Sequence, residues 1–580
     1  MKTLKKLMLF VLVGIMALGM VACGGNVDNS TESKQAKIKA IIAGYDNDWL
    51  KANIAKFNEL YKDEGYSVKL ELEDSDIGAV SEIMRKNKND TDLYFDYSKI
   101  NQLVESSYSI MREDGVCLLE DLSGVLDSVA LNNNKQQESN TAMRAKFPQE
   151  LLLKGQYTGL SVSKDKYPGT YGIPYATSTT GLYVNKKALA KLGYSMDDLL
   201  TTDALLDMCA NIVKDYNIQS EEYLNAFFPF AYAGLSAGGY PSYMVDYWLA
   251  QYMGATDYSN FWTFTPKEGT MIDNGYSVYN DYGILESLRV FADITNTDFV
   301  QPGYSSTHHL AGQGRVFVGT SNTNHERGSL MMVSGDWLYK ESEKNYGEYL
   351  DDVIAIKAPM ISSLGMKLGL CGTTHTVKVD GYTGRSEHCA NCEAKLKQIV
   401  KLVDEFDYAQ KSNAQIAQEV SVAEASVKHI REARGYIIGS VGECYAFIPS
   451  YSNAKKVAKL FLKHLFSNDW QKVFEEKTYC PSILDMGEGK DVTQMNDREL
   501  SLYQKTNSYN TTVIYPDKSN KIRSAMGTDY PATSTNLGTY LGLIYSHKYS
   551  SPELTPEQVF KTNKEYVEIS WYDYLSAAGY

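Results

Sequence analysis

The sequence predicts an α/β protein, because strand and helix patterns alternate along its N-terminal part. Residues 37–43 form an apolar run rich in isoleucine, residues 50–61 repeat apolar side chains at helical spacing, and residues 68–72 alternate between apolar and polar. A short helical pattern around Ile83 and a strand pattern at residues 92–95 continue the series. This order predicts a sheet whose faces are covered by helices.

Polar and aromatic side chains follow two of these predicted strands. Tyr45, Asp46 and Asn47 come directly after the first strand, and Asp96 and Tyr97 follow the third. Ligands of open α/β sheets bind beyond the carboxyl ends of the strands. These side chains are therefore predicted to contact a ligand.

The length and charge of the chain limit what it can be. A chain of 580 residues exceeds what one hydrophobic core supports, so two or three packing units are expected. A formal net charge of −14 argues against nucleic acid and anionic lipid as ligands. Tyrosine is frequent, with 44 residues against 18 phenylalanines. Rings that both stack and hydrogen-bond suit surfaces that bind sugars, which have apolar faces and polar edges.

Three further helices are marked by apolar spacing or by their first residues. Residues 396–406 repeat apolar side chains on one face. Residues 421–424 (Ser-Val-Ala-Glu) match a capping box that would open a helix ending at Gly435. Residues 555–558 (Thr-Pro-Glu-Gln) match the same pattern with proline at the first helical position, and they predict the last helix.

Residues 1–22 predict a secretory signal. They begin with a lysine-rich stretch, continue as an apolar run and end in small residues before Cys23. The apolar run is shorter than the roughly 20 residues that a membrane-spanning helix needs. The sequence around Cys23 resembles a bacterial lipoprotein signal, which implies that the chain is cut before Cys23 and its sulfur acylated; an ordinary secretory signal is the alternative. Residues 23–36 are predicted to be a polar tether.

Four segments resemble one protein family. Residues 171–187 combine an extended run through Pro174, a small polar stretch, a second strand and an Asn-Lys helix start. This arrangement resembles the segment that crosses between the lobes of bacterial extracellular solute-binding proteins. Residues 311–317, 328–338 and 446–462 are similar to further segments of that family. The chain thus resembles the solute-binding lipoproteins of ABC-type carbohydrate transporters, relatives of maltose-binding protein.

The resemblance implies a fold and a domain organisation. The expected fold is α/β with two lobes, a hinge and a central ligand cleft, as in periplasmic binding proteins. The first lobe is expected at residues 37–174, with a return segment around residues 362–465. The second lobe is expected at residues 175–361, together with the C-terminal residues 466–580.

The resemblance also implies a function. It implies a lipid-anchored monomer on the extracellular face of the cell membrane that captures a carbohydrate, with an oligosaccharide favoured, and delivers it to the transmembrane subunits of an ABC permease. No catalytic residue, no cofactor and no nucleic-acid partner is expected. The predicted ligand-binding residues are Trp337, Asp336, Tyr45, Asp46, Asn47, Asp96, Tyr97, Tyr175, Glu443 and Tyr445. Trp337 is expected to stack on a sugar ring, and Asp336 to accept hydrogen bonds from its hydroxyl groups.

Two other classes of function stay open. A cell-surface hydrolase acting on sugars or esters would need a nucleophile or a carboxylate pair, and residues 234–238 (Gly-Leu-Ser-Ala-Gly) match the G-x-S-x-G elbow of serine hydrolases. Pro229 before this motif and residues 239–241 (Gly-Tyr-Pro) after it disfavour the strand, turn and helix that the elbow requires. A sensory or adhesive surface protein would share the fold and lack a permease partner.

A cysteine and histidine cluster at residues 371–392 departs from the family pattern and is interpreted as an insertion. Its potential ligands are Cys371, His375, His388, Cys389 and Cys392. Four of these side chains could hold a structural zinc ion, two of the cysteines could form a disulfide, or the thiols could stay free. These options stay open, and no metal ligand is assigned.

Overall fold

The structure is a computed structural model of the full chain. It describes residues 32–40, 45–71, 91–96, 118–154, 156–157, 169–215, 227–237, 240–295, 297–301, 303–320, 328–406, 411–487, 492–507, 511–514, 521–526 and 555–580. The predicted signal, Cys23 and the helix predicted around Ile83 lie outside these residues. Among the described residues, no helix is both long enough and apolar enough to cross a membrane.

The described residues form both strands and helices, as expected of an α/β protein. The strands are β1 (Gln35–Ala40), β2 (Ser67–Glu71), β3 (Leu93–Asp96), β4 (Gln156–Tyr157), β5 (Gly169–Thr170), β6 (Ile173–Asn185), β7 (Phe228–Phe230), β8 (Ser329–Gly335), β9 (Val353–Ile356), β10 (Tyr436–Phe447) and β11 (Thr512–Ile514). The α-helices are α1 (Asp48–Leu60), α2 (Ser123–Leu126), α3 (Gln149–Lys154), α4 (Lys186–Lys191), α5 (Thr202–Asp215), α6 (Gly234–Ala237), α7 (Tyr243–Met253), α8 (Ala255–Thr263), α9 (Met271–Asn274), α10 (Tyr282–Ile294), α11 (His309–Val318), α12 (Leu338–Tyr346), α13 (Ser363–Lys367), α14 (Ala390–Phe406), α15 (Asn413–Val420), α16 (Glu424–Arg434), α17 (Lys455–Leu465), α18 (Asn468–Thr478), α19 (Asp497–Asn507), α20 (Lys521–Met526) and α21 (Pro556–Ala577).

The chain forms two compact units. Unit 1 lies within Met1–Thr177, Gly442–Lys477 and Ser482–Glu488, and unit 2 lies within Ser178–Val441, Thr478–Pro481 and Gly489–Tyr580. The chain passes from unit 1 to unit 2 within β6 and returns to unit 1 within β10. The connections between the two units at these positions are therefore strands rather than loops.

Unit 1 is built on a small sheet. β1 pairs in parallel with β2 and with β3, and the end of β10 pairs antiparallel with β3. Tyr445 lies opposite Asp96 in this last pairing. α1 packs against β2 and buries Trp49, Leu50 and Phe57 completely. The N-terminal alternation predicted from the sequence therefore forms the core of unit 1.

Unit 2 holds a second sheet and a large helical core. The carboxyl part of β6 pairs antiparallel with β8 and with β9, and β7 runs parallel to β8. Every residue of β8 is buried. Trp248, Trp262 and Trp571 are fully buried among the helices of this core. These three rings therefore stabilise unit 2 by packing.

β6 is one continuous strand where the sequence predicts two strands and a polar run between them. Its pairing with β8 and β9 continues as far as Asn185. Asn185 then opens α4, because its side chain accepts a hydrogen bond from the backbone N–H of Ala188. The predicted helix start is therefore confirmed. The boundary between unit 1 and unit 2 within β6 lies between residues 177 and 178, whereas the sequence analysis expected it after residue 174.

The return segment predicted at residues 362–465 differs from the structure. Residues 362–441 belong to unit 2, because α14, α15 and α16 bury their apolar faces in its core. Ile399 and Ile430 are completely buried there. Apolar spacing shows that a helix face is buried, but it does not show which core buries it.

Two other predicted boundaries also differ. Residues 466–477 belong to unit 1, where Trp470 packs edge-on against Phe461 with ring centroids 5.8 Å apart. β1 already begins at Gln35, so the tether predicted at residues 23–36 overlaps the first strand.

One predicted capping box is confirmed and the other is wrong. Thr555 accepts a hydrogen bond from the N–H of Gln558 and opens α21 with a complete capping box. Ser421 instead has a left-handed φ of 58° and ends α15. α16 starts after Ala423, and no side chain caps it. The chain reversal between α15 and α16 requires a left-handed residue at position 421, and this requirement overrides the local capping pattern.

Candidate functional site

Three predicted ligand residues belong to the strands of the unit 1 sheet or follow one of them. Tyr45 follows β1, Asp96 is the last residue of β3, and Tyr445 is the register partner of Asp96 on β10. Their side chains are at most 1% exposed. The ring of Tyr45 packs against Phe474 with centroids 6.0 Å apart. The sheet therefore pairs Asp96 with Tyr445, and all three side chains are buried.

An aromatic cluster fills the same end of unit 1. Trp49 stacks on Tyr175 with ring centroids 5.7 Å apart. Trp49 also meets two phenylalanines edge-on, Phe95 at 5.8 Å and Phe474 at 5.2 Å. Burial raises the pKa of Tyr175 well above its usual value, so its hydroxyl stays neutral. Tyr175, a predicted ligand residue, packs in this cluster.

Two buried polar atoms near the start of α1 have no hydrogen-bond partner among the described residues. They are Oδ1 of Asn47 and Nε1 of Trp49. Asn47 occupies the position that usually caps a helix, but its side chain makes no capping hydrogen bond. Leaving such a group unsatisfied costs about 1–3 kcal/mol. A ligand hydroxyl group that bonded to either atom would remove part of this cost.

Asp46 is the most accessible of the predicted ligand residues whose side chains the structure describes. It is exposed, and its φ of 54° lies in the left-handed region. Its carboxylate accepts a hydrogen bond from the N–H of Asn47. Residues other than glycine rarely adopt this conformation, which indicates a local constraint. Tyr97 lies outside the described residues, and so does the side chain of Glu443, whose backbone belongs to β10.

In unit 2, Asp336 is tied to the neighbouring strand. It follows the carboxyl end of β8, and its Oδ2 accepts hydrogen bonds from the N–H and the hydroxyl of Thr179, at 3.2 and 3.1 Å. The N–H of Asp336 donates to the carbonyl of Thr179 at 3.1 Å. Asp336 is only 2% exposed. These bonds hold the end of β8 against β6 and fix the position of the next residue, Trp337.

Trp337 is buried over the end of its own strand. The side chain is 6% exposed, and its ring lies edge-on to Tyr240 with centroids 5.7 Å apart. The ring also lies against Gly335, where a Cβ atom would fall 2.0 Å from Cζ3 of the indole. Only glycine at position 335 allows this close approach. The Gly-Asp-Trp motif therefore begins with glycine because the tryptophan ring packs against that residue.

Glu341 is a functional candidate that the sequence reasoning missed. Its N–H donates to the carbonyl of Trp337 at 3.1 Å in the first turn of α12. Its carboxyl accepts a hydrogen bond from Nε2 of Gln313 at 2.5 Å. Burial raises the pKa of Glu341 to about 7, against the opposing effect of Gln313. The spacing of four residues from Trp337 is the signal that could have identified it.

Tyr240 joins Glu341 and Trp337 in the same cluster. Burial, with a smaller contribution from Glu341, raises the pKa of Tyr240 to about 12. Its hydroxyl therefore stays protonated at neutral pH and can donate and accept hydrogen bonds. We call Tyr240, Asp336, Trp337 and Glu341 the β8-end cluster. It combines aromatic rings with carboxyl and hydroxyl groups on one side of unit 2.

The G-x-S-x-G motif forms a serine and histidine pair without the geometry of an elbow. Ser236 lies in the short helix α6 and is exposed. Its Oγ lies 3.1 Å from Nδ1 of His309 and accepts a hydrogen bond from the backbone N–H of His309 at 2.7 Å. Among the described residues, no carboxylate bonds to the other ring nitrogen of His309. The described residues therefore lack the carboxylate that orients the histidine of a catalytic triad.

Two cavities formed by described residues differ in position from the predicted ligand residues. A cavity of about 820 Å³ in unit 2 is lined by residues 368–372 and by side chains around α15 and α16. A cavity of about 740 Å³ in unit 1 is lined by Lys135, Trp470 and side chains of α1. None of the predicted ligand residues lines either cavity. The side chains at the strand ends therefore mark the candidate site better than cavity size does.

No known protein family and no curated protein matches the sequence of this chain. Solved structures do match its fold. A chitin oligosaccharide binding protein matches over 93% of this chain and 100% of its own length, with 13% identity and a TM-score of 0.52. A structure from work on xylan utilisation by Caldanaerobius polysaccharolyticus matches over 92% and 100%, with 11% identity and a TM-score of 0.52. The bacterial solute receptor AcbH, described as having an exclusive preference for β-D-galactopyranose, matches over 92% and 98%, with 11% identity and a TM-score of 0.51.

These similarities establish the fold. The chain has the two-lobe α/β fold of periplasmic binding proteins, so the fold that the sequence resemblance implies is confirmed. At 11% to 13% identity the likeness concerns the fold alone. One fold supports many functions, so the function has to be argued from the side chains.

Proposed function

We propose that this chain, which has the fold of bacterial solute-binding proteins, captures a carbohydrate outside the cell. The observation that carries the proposal is the β8-end cluster, in which Trp337 and Tyr240 supply aromatic surface beside the carboxyl groups of Asp336 and Glu341. A sugar needs both kinds of group, because every hydroxyl taken from water requires a partner. The sugar ligands named for structures of the same fold support this choice of ligand.

The carboxyl group of Glu341 suits a neutral, hydroxyl-rich ligand. With a pKa of about 7, it is partly protonated at neutral pH. The protonated form donates one hydrogen bond and the ionised form accepts several, so both can pair with sugar hydroxyl groups. An oligosaccharide is the favoured ligand, and no covalent bond changes during capture.

In unit 1, ligand-binding groups are proposed separately, at the carboxyl end of β1. Asp46 is exposed, and Oδ1 of Asn47 has no hydrogen-bond partner among the described residues. Both groups follow a strand end, where ligands of α/β sheets bind. The remaining predicted residues, Tyr45, Asp96, Tyr97, Tyr175, Glu443 and Tyr445, are proposed as the surroundings of these contacts.

The proposal includes an anchor and a transport partner. Acylation of Cys23 would hold the protein on the extracellular face of the cell membrane, and the captured sugar would pass to the transmembrane subunits of an ABC permease. Both parts rest on the sequence resemblance. In bacterial cells, Cys23→Ala is expected to abolish incorporation of labelled palmitate and to release the protein from the membrane fraction. Unchanged labelling would contradict the anchor.

A thermal-shift screen tests the proposed ligand class. The purified protein is heated with a panel of monosaccharides and oligosaccharides, and each sugar is recovered and analysed afterwards. A ligand at 100 times its Kd stabilises the folded state by about 2.7 kcal/mol, which moves the melting temperature measurably. We expect stabilisation by at least one sugar, recovered unchanged. No stabilisation by any sugar, with stabilisation in a second panel of peptides and polyamines, would contradict a carbohydrate ligand.

A surface hydrolase is the second candidate, and one observation favours it. Oγ of Ser236 lies within hydrogen-bond distance of Nδ1 of His309, as in a nucleophile and base pair. Ester turnover by the purified protein would support this candidate, and it would contradict capture without chemistry.

A further inference from the structure

Four side chains of the cysteine and histidine cluster converge on one point in unit 2. The ligand atoms of Cys371, His375, Cys389 and Cys392 all lie within 4.8 Å of one another. Nε2 of His375 lies 3.1 Å from Sγ of Cys371 and 3.4 Å from Sγ of Cys392. Zinc bonds of about 2.3 Å to sulfur and about 2.0 Å to nitrogen place tetrahedral donors roughly 3.5 to 3.8 Å apart. The four side chains therefore surround a space that fits one zinc ion.

The fifth potential ligand of the cluster, His388, is engaged elsewhere. Its Nδ1 lies 2.8 Å from Oδ2 of Asp203, and its Nε2 lies 3.3 Å from the hydroxyl of Tyr382. Both ring nitrogens therefore have partners that fix the ring away from the three sulfurs. The geometry reduces the five donors of the sequence to four, which is the number that a closed tetrahedral site requires.

We propose that Cys371, His375, Cys389 and Cys392 bind one structural zinc ion. Three thiolates and one imidazole form one of the common donor sets of structural zinc sites. All four coordination positions are occupied by protein, so the ion supports the fold and has no position for a substrate. The three cysteines are free thiols in the structure. A disulfide would use two of them and would leave the third thiol and the imidazole unexplained.

Local backbone features bring the four ligands together. Cys389 immediately precedes α14 and Cys392 lies in its first turn, so one helix start positions two of the sulfurs. Gly372 has a left-handed φ of 87°, which turns the chain so that His375 can return to the cluster. A Cβ atom on Gly365 of α13 would lie 3.0 Å from the carbonyl oxygen of Cys392, so a glycine permits this close packing.

The zinc ligands lie at the two ends of the loop formed by residues 371–392, and two arginines hold the middle of this loop. The guanidinium of Arg289 stacks on the ring of Tyr382 at 3.6 Å and donates to the carbonyl of Lys378 at 2.6 Å. Arg385 donates to the carboxylate of Asp207 at 2.8 Å. These contacts attach the middle of the loop to α5 and α10. The proposed zinc ion joins its two ends, next to the buried core of unit 2.

Metal analysis of the purified full chain tests the site. Under reducing conditions, elemental analysis is expected to give one zinc ion per chain. Cys371→Ser and His375→Ala are expected to lose the zinc ion. Both positions are half-buried, so these variants are expected to fold, and circular dichroism checks that they do. The matched control is His388→Asn, which removes the neighbouring imidazole and is expected to keep the zinc.

Cobalt substitution and chelation give independent readings. Cobalt added to the metal-free protein should produce the charge-transfer absorption of cobalt thiolates, and this absorption should be absent from His375→Ala. A chelator should lower the melting temperature of the wild type and of His388→Asn, and added zinc should restore it. The same chelator should leave His375→Ala unchanged.

Three results would overturn the proposal. The wild type could contain no zinc and take up no cobalt, peptide mapping without reduction could show a disulfide among the three cysteines, or His375→Ala could keep the ion that His388→Asn loses. Each of these results concerns unit 2 at residues 371–392. Sugar-dependent stabilisation is measured separately, so the proposed carbohydrate binding would stand or fall on its own.

Discussion

The indole ring of Trp337 lies over the backbone of Gly335, at a distance that excludes any side chain on residue 335. A Cβ atom there would meet three ring atoms at 2.0 to 2.3 Å. The ring is thus held at the carboxyl end of β8 by a residue two positions earlier in the chain. Because Gly335 has no side chain, the indole ring can occupy this position and the β8-end cluster can form.

Gly335→Ala is expected to displace the ring of Trp337. The added methyl group would force the indole out of its position, and overpacking of this kind costs typically about 1–3 kcal/mol. Chemical denaturation should show this loss of unfolding free energy, and the response to sugar should weaken at the same time. Gly347→Ala is the matched control, because a Cβ atom there meets nothing within 4 Å. Equal stability of Gly335→Ala and wild type would contradict the close contact.

Glu341→Gln is expected to stabilise the protein at alkaline pH and to have little effect in acid. The pKa of Glu341 is about 7 in the folded protein and near its ordinary value of 4.5 in the unfolded chain. Between these two values the folded state binds more protons, so the free energy of unfolding of the wild type falls as the pH rises. Above pH 7 the wild type carries a buried charge that the variant lacks.

The Glu341 comparison is measured by denaturation at pH 4 and pH 8. We expect the variant to exceed the wild type by about 1–3 kcal/mol at pH 8 and to match it at pH 4. The exposed Glu348→Gln is the control for loss of one negative charge. A difference between Glu341→Gln and wild type that did not change with pH would contradict the raised pKa.

Asp404→Asn is expected to destabilise unit 2 at neutral pH. Oδ2 of Asp404 accepts a hydrogen bond from Arg434 at 2.7 Å, and the side chain of Arg434 is only 6% exposed. Burial alone would raise the pKa of Asp404, but the charges and hydrogen bonds of Arg434 and Lys357 together outweigh burial, and the pKa is lowered. Removing one partner of a buried pair costs about 3–5 kcal/mol, and the partial exposure of Asp404 places this case at the lower end.

The effect of Asp404→Asn should also depend on pH, with a sign opposite to that of Glu341→Gln. A lowered pKa in the folded state gives stability that is present above the unfolded pKa and is lost as the pH falls through the folded value. The deficit of the variant should therefore shrink in acid. Glu432→Gln, which removes an exposed partner of Lys428, should cost less than about 1 kcal/mol. A deficit as small as this for Asp404→Asn would show that the buried pair contributes little.

Ser236→Ala is expected to change neither sugar binding nor stability, and the wild type is expected to cleave no ester. His309 has a lowered pKa because of burial and of the neighbouring His308, so its imidazole is neutral at pH 7. A neutral imidazole could accept a proton from Ser236, but no described carboxylate orients it. Turnover of model esters is followed for the wild type and the variant. Activity that disappears in Ser236→Ala would establish a hydrolase instead.

Features that depend on neighbouring residues along the chain were predictable from the sequence. Asn185 opens α4 and Thr555 opens α21 because an N-cap is satisfied within one turn. Ser421 has the same local pattern, but the reversal between two packed helices requires its left-handed conformation. A local pattern fails where tertiary packing decides the backbone.

The predicted ligand residues lie in two different environments, which the sequence did not distinguish. Asp336 and Trp337 follow the end of β8, whereas Tyr45 and Tyr175 are packed in the core of unit 1. Tyr240 joins the cluster through a contact between distant segments, which no sequence pattern reports.

The same limit applies to the cysteine and histidine cluster. The sequence offers five potential ligands, and the contact between His388 and Asp203 removes one of them. Asp203 lies far away in sequence, so spacing alone could not choose between His375 and His388.

Calorimetric titration of one sugar into wild type and Trp337→Phe tests the central claim most directly. The sugar is the strongest ligand found in the thermal screen, and Trp248→Phe, a change in the core of unit 2, is the matched control. If the β8-end cluster binds the sugar, Trp337→Phe should raise Kd at least about 10-fold, equivalent to about 1.4 kcal/mol, while Trp248→Phe binds as the wild type does. Equal affinity in all three proteins, or no binding of any sugar by the wild type, would contradict carbohydrate capture at this site.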